Sequence, residues 1–182
     1  MSVADAVASP VRCWPSPNPN EKCPTMWRVI EIEARVGHPP ERVFPYLADP
    51  GRWPEFAPAV ASRQRIGDGP PSVGSRWAAV DRIGPFRIRF TDELTEVDPD
   101  ARVVWLSTSP WNSRVEYRLL PDADHTRILA RYEGHVDGWL RLVALLPTAI
   151  LARILMRDFH GLRRCLEAED RAPGVMDAAS PG

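Results

Sequence analysis

Asp158 stands on an otherwise apolar stripe of Leu140, Ala144, Pro147, Leu151, Leu155, Leu162 and Cys165, spaced by threes and fours. A carboxylate in such a place is costly to bury unless it is paired. It is therefore expected to meet a nearby arginine or to sit at the mouth of a cavity, with a catalytic acid as the alternative. Asp81 shares the alternation of Trp77 and is a second carboxylate candidate. Arg63, Arg65, Arg76, Arg82, Arg87 and Arg89 face only Asp68 and Asp81 over residues 63–89. A solvated sheet face is the expectation for them, whereas an inward arginine would hold a carboxylate or phenolate. The aromatic set is the most informative. Trp77, Phe86, Phe90, Trp105, Tyr117 and Tyr132 fall on predicted strands, mostly in phase with Val103, Val115, Leu119, Ile128 and Ala130. Arg114, Glu116, Arg118, Arg127, Arg131 and Glu133 take the opposite phase. The first set should face a covering helix and the second should face water. Taken singly, each aromatic fits a filled core. Taken together with Asp158, they form a candidate ligand-binding set with apolar walls and two phenol hydroxyls.

Other chemistries find no support. Cys13, Cys23 and Cys165 form no C-x-x-C, and His38, His125, His135 and His160 form no H-E-x-x-H, so no metal site is expected. There is no G-x-S-x-G elbow, and Gly67-x-Gly69 runs into Pro70-Pro71 without opening a helix, as a phosphate cradle would require. Lys22 is the only lysine, which argues against Schiff-base chemistry, and no cofactor is expected. A net charge of −1 argues against a nucleic-acid partner.

These side chains need a scaffold, and 182 residues with 44% hydrophobic and 26% charged content suit one globular domain. Residues 1–25, with five prolines among small polar residues, read as a disordered leader; the domain is expected over 26–170 and a flexible tail over 171–182. The leader lacks the charged start and continuous apolar stretch of an export signal, which predicts a cytoplasmic protein. Met26, just before the first strand, is a candidate initiator. Alternation predicts a strand over Trp27–Val36, followed by a short helix from Pro39 that stops at Asp49-Pro50-Gly51 and a helical turn near Trp53. Six further strands are expected at about Ala59–Ile66, Gly74–Arg82, Phe86–Val97, Arg102–Ser109, Ser113–Leu120 and Thr126–Val136. Their short links demand antiparallel neighbours. The period then turns helical from about Gly138 to Asp170, and Pro147 is expected to kink or split that helix.

This order resembles the SRPBCC (START-like) superfamily, and within it the polyketide cyclase/dehydrase-like and lipid-transport-like proteins. The resemblance is carried by Val36-x-x-Pro39-x-x-x-Val43-Phe44, then Asp49-Pro50-x-x-Trp53-Pro54-x-Phe56-x-Pro58 and Gly74-Ser75-x-Trp77. It continues through Glu93-x-Thr95-Glu96-Val97-Asp98-Pro99 to Val104-Trp105, and into the terminal helix at Leu162 and Leu166. It implies an α+β helix-grip fold: a curved antiparallel sheet of about seven strands wrapped around a long C-terminal helix, with two short helices after the first strand. It further implies a cavity that takes a hydrophobic small molecule, without implying one activity.

Three readings follow. The first is a soluble binding or carrier protein holding a lipid-like or aromatic molecule. The second is a cyclase or dehydratase using Asp158, Asp81, Tyr117 or Tyr132 as proton donors and arginine as an oxyanion holder. The third is an interaction module using Leu142–Ala152, which is apolar nearly all round and too short to span a bilayer that needs about 20 residues. That segment is expected to form a homodimer contact in preference to a peripheral membrane contact, with Leu145 pointing outward.

Overall fold

A computed structural model describes residues 28–136, 138, 142 and 145–171. The expected leader and nearly all of the expected tail lie outside these residues, as do Trp27, Leu140 and Ala144. Strand β1 (Arg28–Val36) is followed by α1 (Pro40–Ala48), a 3-10 turn (Pro50–Arg52) and α2 (Trp53–Phe56). Then come β2 (Val60–Ile66), β3 (Arg76–Ile83), β4 (Phe86–Asp98), β5 (Arg102–Ser107), β6 (Ser113–Asp122), β7 (His125–Gly134) and α3 (Thr148–Arg171). The seven strands form one antiparallel sheet in the order β1-β7-β6-β5-β4-β3-β2. Shifts of register at Val60/Ser62 and Leu94/Glu96 place bulges in β2 and β4, the device that curves a sheet. This is the expected helix-grip architecture.

Period-two alternation sorts the strands as it should. Ile30, Ile32, Ala34 and Val36 of β1 are buried, as are Leu119 of β6 and Ile128 and Ala130 of β7. Against this face α3 lays Ala152, Phe159, Leu162 and Leu166. Trp53, Trp105 and Trp77 stack edge to face with centroid separations of 5.4 and 5.1 Å, and the Trp105 indole donates to the Leu47 carbonyl at 3.2 Å. That chain of rings joins both short helices to the sheet, and an indole N–H buried this deeply needs such a partner.

The C-terminal half of α3 is held by charge as well as by packing. Asp170 receives Arg42 at 2.5 Å and lies 2.7 Å from the His38 ring nitrogen, while Glu169 accepts from Tyr46 at 2.6 Å and Arg52 at 2.9 Å. Nearer the helix start, Gly161 lies against α2 so closely that a Cβ there would overlap the Phe56 carbonyl oxygen and come within 2.9 Å of its carbon.

Of the kink or split expected at Pro147, the described residues show α3 starting just after it at Thr148, as the long second piece of a split would, and the Pro147 carbonyl accepts from Ile150 and Leu151 at 2.9 and 3.2 Å. A proline just outside the first turn sacrifices no intrahelical bond. Glu116 does lie on the outer face of the sheet but is buried, because Arg102, Arg114 and Arg118 close over it at 2.7, 2.8 and 2.6 Å. Burial works against its ionised form, yet the three guanidinium donors hold the carboxyl down at about 2.

Replacing a mid-helix glycine by alanine ordinarily stabilises a helix by about 1 kcal/mol. At Gly161 the sign should reverse, with a loss of about 1–3 kcal/mol or more from overpacking against backbone. Urea denaturation of Gly161→Ala checks this, and a raised midpoint would contradict the packing described.

Candidate functional site

The polar groups under the sheet are positioned by strand register. Arg63 on β2 pairs with Ala79 on β3, which pairs with Phe90 on β4, so all three point to the inner face. Asp92 is two residues along β4 and opposite Ser107 of β5. The Arg63 side chain is only 3% exposed; one terminal nitrogen donates to Asp81 at 2.8 Å, and its Nε approaches Asp92 to 2.7 Å without aiming its N–H at the oxygen. Ser107 donates to Asp92 at 2.6 Å. The guanidinium also lies 5.3 Å from the Trp53 ring centroid and 5.1 Å from that of Phe90, within cation–π range. Burial raises the proton affinity of both aspartates, the Arg63 charge opposes this, and the Asp81 charge pushes Asp92 further up.

Tyr117 on β6 and Tyr132 on β7 come together with hydroxyls 3.3 Å apart and rings edge to face at 6.1 Å. The Tyr117 ring also meets Phe159 of α3 at 6.3 Å. Both phenols are pushed well above their ordinary range by burial, with the Asp158 charge adding to the effect. Both nevertheless keep accessible surface, as does Asp158 on α3. The expected ion pair at Asp158 is absent among the described residues. Burial first, and the Asp81 charge second, push its carboxyl up to about 7 against a weak opposing pull from Arg157.

Of the seven residues read from the sequence as a ligand-binding set, Tyr117, Tyr132 and Asp158 form one group. Trp77 and Trp105 are sealed in the core at 2% and 0% exposure, and Phe90 is buried beside Arg63. Phe86 is 53% exposed, which corrects its expected inward position. Its phase matches Ile88 and Phe90, but it opens β4 at the tip of the hairpin with Ile83, beyond the reach of α3. Arg63 is interior, against the expectation of a solvated face shared with its neighbours on β2 and β3, and Asp92 is a polar group that sequence reasoning misses. The period-two run Ile88, Phe90, Asp92, Leu94 carries the signal for Asp92; Arg63 has none, because the apolar residues at the ends of β2, Val60 and Ile66, take the opposite phase. A separate depression of about 350 Å³ lies among outward groups including Glu31, Glu33, Glu116, Arg118 and Arg131. Among the described residues no group of three His, Cys, Asp or Glu side chains is gathered to hold a metal.

A curved antiparallel sheet closed by one long helix over a partly polar interior defines the helix-grip class. The family described as polyketide cyclase / dehydrase and lipid transport matches residues 28–167, so the chain belongs to that family, within the SRPBCC superfamily. A search of curated proteins gave no match. Among solved structures, the Zhui aromatase/cyclase from Streptomyces sp. R1128 is similar at 16% identity and TM-score 0.65, covering 82% of this chain and 99% of that one. TTHA0849 from Thermus thermophilus is similar at 17% identity and TM-score 0.64, covering 78% and 98%. Ara h 8.0201 is similar at 14% identity and TM-score 0.60, covering 79% and 99%. At these identities the likeness is one of fold.

The raised Asp158 acid sets a pH dependence. Between its ordinary value of 3.8 and about 7, the folded chain keeps a proton that the unfolded chain has released, so stability falls as pH rises through this window and levels off above it. Asp158→Asn removes the ionisable group. It should raise stability above pH 7 by up to about 4 kcal/mol, at about 1.4 kcal/mol for each tenfold change in proton affinity, with the gain vanishing near pH 4. Thermal melts of both proteins across that range check this; a gain independent of pH would contradict it.

Proposed function

We propose that the chain binds a hydrophobic, lipid-like or aromatic small molecule between the inner face of the sheet and α3. The observation that carries this reading is the accessible surface retained by Tyr117, Tyr132 and Asp158 at a depth where burial governs their proton affinity. Polar groups on partly accessible side chains inside apolar walls suit an occupant that is mostly apolar and carries a few hydrogen-bonding oxygens. Leu151, Leu155 and Met156, half-buried on α3, supply apolar lining next to Asp158. The matched family, whose description spans cyclases, dehydrases and lipid transport, supports the same ligand class.

A second reading is favoured by Asp158 itself. A carboxyl with a midpoint near 7 and no ion-pair partner among the described residues can both donate and accept a proton near neutral pH, as cyclisation and dehydration of a polyketide-like chain require. In that reading Tyr117 and Tyr132 would hold the substrate oxygens. Arg63 would stay with Asp81 and Asp92 and set the charge around the site.

The neutral fluorophore N-phenyl-1-naphthylamine tests the binding reading. It should bind once per chain and take energy from the Trp53–Trp105–Trp77 array, giving quenched tryptophan emission and enhanced probe emission together. Failure to bind, or bright probe without tryptophan quenching, would count against an interior site. With a linear poly-β-ketone thioester as substrate, the second reading expects Asp158→Asn to slow aromatic product formation by about 10²–10⁴-fold. An unchanged rate would count against it.

A further inference from the structure

The start of α3 and the segment just before it present exposed apolar and basic side chains. Leu142 and Leu145 are 67% and 66% exposed, and Ile150 and Ile154 are each 45% exposed. The Arg28 guanidinium donates to the Leu146 carbonyl at 2.7 Å, tying the segment that carries Leu145 to β1. At about 100° per residue, Ile150, Arg153, Ile154, Arg157, His160 and Arg164 fall within roughly one third of the helix circumference. All six are exposed. From Leu145 to Leu166 the charged residues are Arg153, Arg157, Arg163 and Arg164 against Asp158 alone, and Asp158 is turned toward the interior tyrosines. Arg163 is paired with Glu167 at 2.9 Å, whereas Arg153, Arg157 and Arg164 have no ion-pair partner among the described residues. A chain of net charge −1 thus carries a locally cationic face beside four exposed aliphatic side chains.

We propose that this face docks the protein onto an anionic lipid bilayer, with Leu142, Leu145, Ile150 and Ile154 entering the headgroup boundary and Arg153, Arg157 and Arg164 meeting lipid phosphates. A second copy of the chain is the occupant expected from the apolar residues alone. The unpaired arginines decide against it, since a symmetric contact through this face sets like charges against one another. An anionic surface satisfies both halves of the pattern, and the helix lies on it without crossing, as no described helix is long and apolar enough to span a membrane. Because Leu151, Leu155 and Met156, which line the proposed site, lie on the same helix, docking would bring that site close to a source of hydrophobic ligand; the docking itself does not rest on ligand binding.

Flotation of the full chain with vesicles of phosphatidylcholine, with and without phosphatidylglycerol, tests this. Binding is expected only with phosphatidylglycerol. Each basic side chain removed should lower partitioning about fivefold, so Arg153→Gln/Arg157→Gln should lose roughly 25-fold. Arg35→Gln/Arg127→Gln, which makes the same change in net charge on the outer face of the sheet, should bind as wild type. Leu145→Glu should also release the protein while leaving its melting temperature unchanged. The proposal is overturned if wild type ignores anionic vesicles, or if the two arginine pairs behave alike. A wild-type dimer in sedimentation that Leu145→Glu dissociates, without vesicle binding, would overturn it in favour of a second copy.

Discussion

The seating of α3 across the inner face of the sheet rests on two contacts in its C-terminal half: Gly161 against the Phe56 backbone, and Glu169 and Asp170 against His38, Arg42, Tyr46 and Arg52. The ion pairs are mostly exposed, and such pairs contribute little each. The close approach at Gly161 is different in kind, since packed backbone cannot yield as a surface side chain can. Toward its start the same helix buries Ala152 while leaving Ile150 and Ile154 in the open. One end is locked to α1 and α2, and the other carries both the lining of the interior and the cationic apolar face.

Fixing the helix there determines the electrostatics below it. Among the described residues Arg63 is the guanidinium paired under the sheet, and it is shared by Asp81 and Asp92. A buried pair of this kind does not repay its desolvation generously, and removing one partner would leave an unmatched charge worth about 3–5 kcal/mol of destabilisation. Asp158 has no such partner among the described residues, and burial above all, with the Asp81 charge adding to it, keeps its proton to near neutrality. The phenols of Tyr117 and Tyr132 stay protonated for the same reason, and can donate as well as accept. An interior of apolar walls with neutral hydroxyl and carboxyl groups suits a ligand with oxygens on a hydrocarbon frame.

The fold was legible in the sequence because each strand buries one face and therefore alternates. β1, β6 and β7 show this in Ile30 to Val36, Leu119, Ile128 and Ala130, and the links between strands are too short for parallel crossovers. The inward phase of Tyr117 and Tyr132 was legible for the same reason, and that of Asp158 from the spacing by threes and fours along the helix. What alternation could not give was depth along a strand: Phe86 has the right phase and lies too far out. Nor could it give the partners of a charge. Arg63 reads like the five other arginines around it, and only the register that sets it opposite Ala79, with Asp81 and Asp92 in reach, makes it interior. The arginines beside the apolar start of α3 were individually visible, but their common face emerges only once the helix is known to begin at Thr148.

The central claim is that the fold keeps the Asp158 carboxyl, which has no ion-pair partner among the described residues, protonated beside two phenols near neutral pH. Carbon-detected NMR of the Asp158 carboxyl in the folded protein, followed from pH 4 to 9, reads this directly. The account predicts a titration centred at about 7, with the carboxyl still largely neutral at pH 6. A midpoint near the ordinary 3.8 would contradict it, because Asp158 would then be solvated or paired.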